Sequence, residues 1–172
     1  MVNSSPLPHR AAIALGSNLT SAVGDPEDTL IAAIDAIDSI PATTVEAESS
    51  MYQTAAVGPP QPDYVNACVI VSTMATAPQL MQTLLNIEQQ FDRVRTERWG
   101  PRTFDLDLLL FDDVVLNDPL VQIPHPRMAE RAFVLMPLAE IVPQWVHPVL
   151  GETIQVLAQK VPTTGVRCLA QS

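Results

Sequence analysis

The run Tyr64–Thr73 (YVNACVIVST) is apolar at nearly every position instead of at alternate ones. A strand with one wet face alternates, whereas a near-continuous apolar run rich in Val, Ile and Thr is what the centre of a sheet requires. Whatever this chain folds into must therefore build other elements around that strand. Arg10–Leu15 (RAAIAL) reads as a first strand, stopped by the turn-forming Gly16-Ser17-Asn18. Thr43–Tyr52 (TTVEAESSMY) alternates as a half-buried strand, and Gln53–Asp63, with Gly58, Pro59, Pro60 and Pro62, reads as a loop. Asp105–Phe111 (DLDLLLF) is a fourth strand, which Asp112-Asp113 turns into a short partner at Val114–Leu116.

Two helices fall between these strands. The first begins at Asp25, a capping residue, with Pro26 at the first helical position and Glu27 and Asp28 in the first turn; Leu30, Ile31, Ile34 and Ile37 give it an apolar face, and Pro41 closes it. The second runs from Ala77 to Asp92 with Thr76 as cap and Leu80, Leu84, Ile87 and Phe91 toward the core. The order is β-α-β-β-α-β, the signature of a ferredoxin-like α+β sandwich with helices on one face of a mainly antiparallel sheet. Beyond it come a Pro-rich stretch and two extra C-terminal helices, around Ala132–Ile141 and Thr153–Lys160. Residues 10–172 are expected to form one domain, with residues 1–9 as a flexible N-terminus.

A chain of 172 residues with 47% hydrophobic and 16% charged side chains can bury a core without staples, which excludes the disordered and fibrous classes. Cys68 and Cys168 have neither a metal-ligand nor a disulfide-framework spacing, Met1–Arg10 lacks the apolar core of a secretory signal, and Ala132–Val146 is interrupted by Pro137, Glu140 and Pro143. A cytoplasmic monomer without membrane contact is the expectation. A net charge of −10 argues against nucleic acid as a partner, because backbone-phosphate binding needs a broad basic surface. Yet six of the nine basic residues, Arg93, Arg95, Arg98, Arg102, Arg127 and Arg131, fall in one segment, which points to a local anion site.

Asp105 and Asp107 are the sharpest chemical feature. In a strand, residues two apart share a face, so both carboxylates stand on one side and Leu106, Leu108 and Leu110 on the other. Adjacent carboxylates repel, and a shared hard cation such as Mg²⁺, which takes a few carboxylate oxygens and leaves positions for substrate phosphates, relieves that. The alternative is a plain solvated strand face, and the Asp pair alone does not decide between them. The arginine segment, which contains Trp99, feeds directly into the pair, and guanidinium forks match phosphate oxygens. No Gly-x-x-x-x-Gly-Lys loop, dinucleotide fingerprint or protein-kinase motif set is present, so a nucleotide site here must rest on arginines and magnesium. His125 sits between two prolines where it can meet a phosphate, or simply lie at the surface. Tyr64, Asn66 and Phe133 can form an aromatic pocket with a polar reader, or serve the core.

Longer stretches carry a resemblance: IALGSNL at 13–19, YQTAAVG at 52–58, QPDYVNA at 61–67, RWGPRTFDLDLLLF at 98–111 and IPHPRMAERAFVLMPL at 123–138. Together they resemble the 6-hydroxymethyl-7,8-dihydropterin pyrophosphokinases of folate biosynthesis, from about Ala11 to Trp145. The resemblance implies a ferredoxin-like core, transfer of the terminal diphosphate of ATP with release of AMP, and a site for two Mg²⁺ ions on Asp105 and Asp107. It implies catalytic charge stabilisation by Arg93 and Arg102, and ATP contacts from Glu88, Arg95, Arg98, Leu108, His125 and Arg131, with Trp99 closing the loop. It places the pterin between Tyr64 and Phe133, read by Asn66 and by the backbone around Thr54 and Val57. This chain departs from the family at Leu120 and Gln122, at Pro126 after His125, and at Ala55-Ala56 in place of a proline pair.

Other readings differ in product. A ligand-sensing ferredoxin-like module would bind nucleotide or pterin without forming AMP. A two-metal phosphohydrolase would release inorganic phosphate or diphosphate. An RNA-binding module is disfavoured, because strands 1 and 3 lack the stacking aromatics such a sheet uses.

Overall fold

The computed structural model describes residues 6–18, 24–55, 62–93 and 104–169. In chain order the elements are β1 (His9–Ser17), α1 (Pro26–Asp38), β2 (Thr43–Glu48), β3 (Tyr52–Thr54), β4 (Tyr64–Thr73), α2 (Ala77–Arg93), β5 (Phe104–Phe111), β6 (Leu116–Asn117), β7 (Gln122–Ile123), α3 (Ala132–Ile141), α4 (Ile154–Lys160) and β8 (Val166–Cys168). The main sheet runs β5-β1-β4, after which β2 and β3 pair side by side with successive halves of β4, and β8 adds to β3. All these pairings are antiparallel. The ferredoxin-like expectation holds, with β4 and β1 at the centre.

The helix starts follow from their caps. Asp25 accepts from the Asp28 N–H at 2.9 Å while the Asp28 carboxylate accepts from the Asp25 N–H at 3.2 Å, a reciprocal box that satisfies two orphan donors of α1. Thr76 and Gln79 do the same for α2. Leu30, Ala33, Ile34 and Ile37 form the buried stripe of α1, but Ile31 is 52% exposed. It stands about 100° around the helix from Leu30, outside the stripe that the 30-33-34-37 spacing defines. Leu80, Leu84 and Ile87 are buried on α2, and Phe91 stacks on Phe104 with ring centroids 4.9 Å apart.

The sheet is covered on both faces rather than one. Ile13, Leu15, Val69, Leu106 and Leu108 pack under α1 and α2, whereas Ala12, Ala14, Cys68, Ile70, Leu109 and Leu110 pack under α3 and α4. The two extra helices thus make a third layer, which is why β4 is apolar on both sides. Among the described residues, no helix is long and apolar enough to cross a membrane.

Four local expectations are corrected. First, β1 does not stop at Leu15: Gly16 and Ser17 still pair with Asn66 and Val65, because two flanking strands supply ladder partners that turn propensity cannot outweigh. Second, the strand expected at Thr43–Tyr52 divides at Ser49–Met51 and then continues through Gln53 and Thr54. At the break the Ser50 N–H is taken by Glu140 of α3 at 2.8 Å instead of by β4. Third, Leu110 does not share a face with Leu106 and Leu108. Ala12 pairs with Leu110 but Ile13 with Leu108, so Leu109 is an extra residue, a bulge that turns Leu110 to the other face. Fourth, Leu116-Asn117 pairs with Gln122-Ile123 in a separate two-stranded sheet and does not return along the preceding strand. β8 had no counterpart among the sequence expectations.

Candidate active site

The site is built on rungs of the sheet. Asn66 of β4 is the partner of Tyr52 on one side and Gly16 on the other, and Gly16 is in turn the partner of Asp105. The row beneath runs Cys68, Ala14, Asp107, and Thr54 faces Tyr64 across β3 and β4. Alternation along each strand puts these residues on the side covered by α3. A cavity of about 350 Å³ opens there, walled by Ala14, Gly16, Thr54, Tyr64, Asp105 and Asp107 of the sheet and by Arg131, Phe133 and Val134 at the start of α3. Gly16 makes the gap: a Cβ built on it would stand 2.8 Å from the Asn66 Nδ2, so only a residue without one lets the Asn66 amide lie across the strand.

One end of the cavity is suited to a flat, polar-edged ring. The Thr54 hydroxyl donates to Asn66 Oδ1 at 2.8 Å, which fixes the Asn66 amide. Tyr64 and Phe133 both wall the cavity, and the Arg131 guanidinium lies 5.5 Å from the Phe133 ring centre. Burial, reinforced by the nearby Asp105 carboxylate, pushes the Tyr64 phenol above its ordinary value and keeps it neutral. The wall carrying Thr54 is fastened to α3 by Glu140, whose carboxylate accepts from the Ser50 N–H at 2.8 Å, the Ser50 hydroxyl at 2.7 Å and the Tyr52 hydroxyl at 2.7 Å. Burial raises the Glu140 pKa, but those hydrogen bonds outweigh it and hold the carboxyl below its ordinary range.

The other end is acidic. Asp105 is exposed and Asp107 half-exposed, and the His125 Nε2 lies 3.9 Å from Asp107 Oδ1. His125 is placed by its own backbone N–H, which donates to Leu109 O at 2.9 Å, and by the Arg127 N–H, which donates to its Nδ1 at 3.2 Å. With Nδ1 as acceptor, the neutral ring carries its proton on Nε2, toward the carboxylate. Burial lowers the His125 pKa; Asp107 opposes that, while Arg131 and Arg127 add to it. Two hard carboxylates on one strand face, open to the cavity, are a donor set that fits Mg²⁺ held jointly with substrate phosphates. Among the described residues no group of three or more His, Cys, Asp and Glu gathers as a metal site, here or elsewhere, so the aspartate pair would need substrate oxygens to complete a cation's shell.

The structure therefore brings Thr54, Tyr64, Phe133, Asp105, Asp107 and Arg131 into one cavity, with Asn66 and His125 held beside it by their contacts to Thr54 and Asp107. Two expected nucleotide residues stand elsewhere. Leu108 is 2% exposed within the α1/α2 core, since it sits one residue out of phase with the aspartates. Glu88 accepts from the Leu106 N–H at 2.7 Å and so caps the open edge of the strand that carries the aspartates. Arg93 is the last residue of α2, and Val57, Arg95, Arg98, Trp99 and Arg102 lie outside the described residues. Sequence reasoning missed Gly16 as a strand residue and Glu140 as a tie; the IALGSNL stretch contained the signal for the first, and nothing local signals the second.

A three-layer ferredoxin-like domain with a cavity that is aromatic at one end and dicarboxylate at the other defines a small-molecule enzyme of the phosphate-handling kind. Residues 12–143 match the family described as 7,8-dihydro-6-hydroxymethylpterin-pyrophosphokinase, and the chain belongs to it. These enzymes transfer diphosphate from ATP to hydroxymethyldihydropterin in folate biosynthesis. A 2-amino-4-hydroxy-6-hydroxymethyldihydropteridine pyrophosphokinase of Synechocystis is 48% identical over 92% of this chain and 79% of its own length. One of Pseudomonas aeruginosa is 42% identical over 78% and 81%. Among solved structures, an HPPK-DHPS in complex with substrates superposes with a TM-score of 0.68 at 12% identity, over 90% of this chain and 43% of that one. Plasmodium falciparum HPPK-DHPS with pteroate gives 0.65 at 15% identity, over 92% and 43%. The chain thus spans less than half of those longer proteins, and at such identities they speak for the fold alone.

Proposed function

We propose that the cavity is where this chain performs its family's reaction, with the dihydropterin at the Tyr64–Phe133 end and the ATP polyphosphate at the Asp105–Asp107 end. The observation that supports the reading is the rung Asn66–Gly16–Asp105, which puts a fixed side-chain amide and a carboxylate on either side of one glycine gap at the cavity. In this arrangement Tyr64 and Phe133 sandwich the pterin, Asn66 and the backbone near Thr54 and Val57 read its edge, and the hydroxymethyl group points along the gap toward the aspartates.

The hydroxymethyl oxygen forms a bond to the β-phosphorus of ATP, the bond from that phosphorus to the α,β-bridging oxygen breaks, AMP departs and the hydroxyl proton is lost. No protein nucleophile is needed, so the chain's task is positioning and charge neutralisation. Asp105 and Asp107 would hold two Mg²⁺ ions, whose contribution is to neutralise phosphate charge. His125 and Arg131 offer donors from the α3 side, and Arg93, Arg95, Arg98 and Arg102 supply guanidinium charge, Arg93 and Arg102 toward the leaving AMP. Trp99 closes the nucleotide in. Glu88 acts on the nucleotide side through the strand edge it caps. The protein works as a monomer in the cytoplasm.

Incubation of the purified chain with ATP, Mg²⁺ and 6-hydroxymethyl-7,8-dihydropterin should give AMP and the pterin diphosphate in equal amounts. Pterin-independent release of inorganic phosphate would favour a hydrolase, and binding without AMP formation a sensor; either result overturns the proposal.

A further inference from the structure

β3 is only three residues long, yet it carries Thr54, and on its outer side it is held by β8, which lies beyond residues 12–143 that match the family. Gln53 is the rung partner of Arg167, whose guanidinium donates to Gln53 Oε1 at 2.6 Å. The Gln53 Nε2 in turn donates to Asp63 Oδ2 at 2.9 Å. Asp63 immediately precedes Tyr64, and the Ala55 N–H donates to Gly165 O at 2.9 Å. Arg167, Gln53 and Asp63 thus form a polar chain from β8 across β3 to the head of β4. Because Thr54 and Tyr64 point into the cavity, their chain neighbours Gln53 and Asp63 point to the opposite face. The chain therefore braces the Thr54–Tyr64 rung from behind and touches no substrate.

We propose that Arg167 and Gln53 are positioning residues for the pterin end of the site, acting through Thr54 and Tyr64. The inference rests on the reading of that end as the pterin site. Gln53 is the pivot, since its amide accepts from Arg167 through Oε1 and donates to Asp63 through Nε2, a double role that the amide's two separate atoms fill without ionising. The brace predicts a selective defect: pterin recognition loosens, while the Asp105–Asp107 end, three strands away on β5, is untouched.

The test uses the full chain and three variants, Arg167→Ala, Arg167→Lys and Gln53→Glu, measuring the pterin KM, the ATP KM, kcat at saturation and thermal melting. Loss of one such hydrogen bond should raise the pterin KM roughly three- to tenfold in Arg167→Ala, with kcat and the ATP KM within about twofold of the parent. Arg167→Lys, which keeps a donor, should recover most of the loss. Gln53→Glu keeps its Arg167 partner but sets a carboxylate against Asp63, so its pterin KM should rise at least as far. An unchanged pterin KM in Arg167→Ala and Gln53→Glu, or equal losses in all three kinetic constants, would overturn the brace. Should the parent chain itself form no AMP, the functional reading fails on its own. The brace is then decided by amide hydrogen exchange at Ala55 and Tyr64, which must quicken in Arg167→Ala if it exists and stay unchanged if it does not.

Discussion

Replacing Gly16 by alanine adds one methyl group at the point where the two ends of the cavity meet. Its carbon would stand 2.8 Å from Asn66 Nδ2, whereas a relaxed contact needs roughly 3.5 Å, so the Asn66 amide must retreat by about 0.7 Å. Asn66 is only 8% exposed and is tied to Thr54 at 2.8 Å, so the retreat strains or breaks that bond inside a closed environment. Leaving a buried amide without its partner costs about 1–3 kcal/mol. Alanine in a strand interior returns about 0.5–1 kcal/mol relative to glycine. The net loss spans roughly 0–2.5 kcal/mol with a centre at about 1.2 kcal/mol, and that centre is a fall in melting temperature of about 2–5 °C for a chain of this size. The pterin KM should rise at least about tenfold, because 1.4 kcal/mol of lost recognition corresponds to that factor. The assay is thermal melting and steady-state kinetics on a double-mutant cycle with Asn66→Ala. Once the Asn66 amide is gone, adding Gly16→Ala should be neutral or stabilising by up to about 1 kcal/mol. A Gly16→Ala protein as stable as the parent with an unchanged pterin KM would refute the argument, as would equal destabilisation in both backgrounds.

Asp107→Ala should abolish AMP formation while melting without Mg²⁺ holds or rises, since it removes one carboxylate from a pair that repels itself; an active variant would sink the metal assignment. Glu140→Gln should lower melting at pH 7 by about 2–4 °C, the equivalent of about 1 kcal/mol from weakened charge-assisted hydrogen bonds in a partly screened position. The Glu140 carboxyl is held below its ordinary 4.5 in the folded state, so its contribution is fully present above that pH and is lost as pH falls through the lower folded value. The gap between parent and Glu140→Gln should therefore close on acidification below about 4.5, and a gap that persisted at low pH would contradict the tie.

The element order was legible because it rests on long periodic segments. The apolar run of β4, the Asp25–Pro26 start of α1 and the Leu80–Leu84–Ile87 stripe each have one satisfactory solution in structure. The Asp105/Asp107 pair was placed on the correct side relative to Leu106 and Leu108 by strand alternation alone. What escaped depends on long-range partners. Gly16 reads locally as a turn, and only the presence of Asn66 and Asp105 on neighbouring strands keeps it in the sheet. Leu110 follows alternation in sequence, but the extra residue at Leu109 becomes visible only against Ala12 and Ile13. Ser50 ends β2 because of an acceptor ninety positions away on α3. A strand as short as Val166–Cys168 has no pattern to detect until β3 is there to receive it. Leu108 shows the converse, a residue matched by resemblance whose side chain the fold directs into the core.

Because Asn66, Gly16 and Asp105 occupy one rung on three adjacent strands, the distance between the proposed ring reader and the proposed cation holder is two interstrand spacings, roughly 10 Å. That length is set by the backbone hydrogen-bond ladder, which side-chain substitutions leave unaltered. On the proposed placement of the substrates the sheet is a fixed ruler between them, so changes to Tyr64 or Phe133 would alter which ring is accepted but not how far its reacting arm must reach. A substrate whose hydroxyl sits one carbon nearer or farther would meet the wrong graduation, and no repacking of the cavity walls would move the mark.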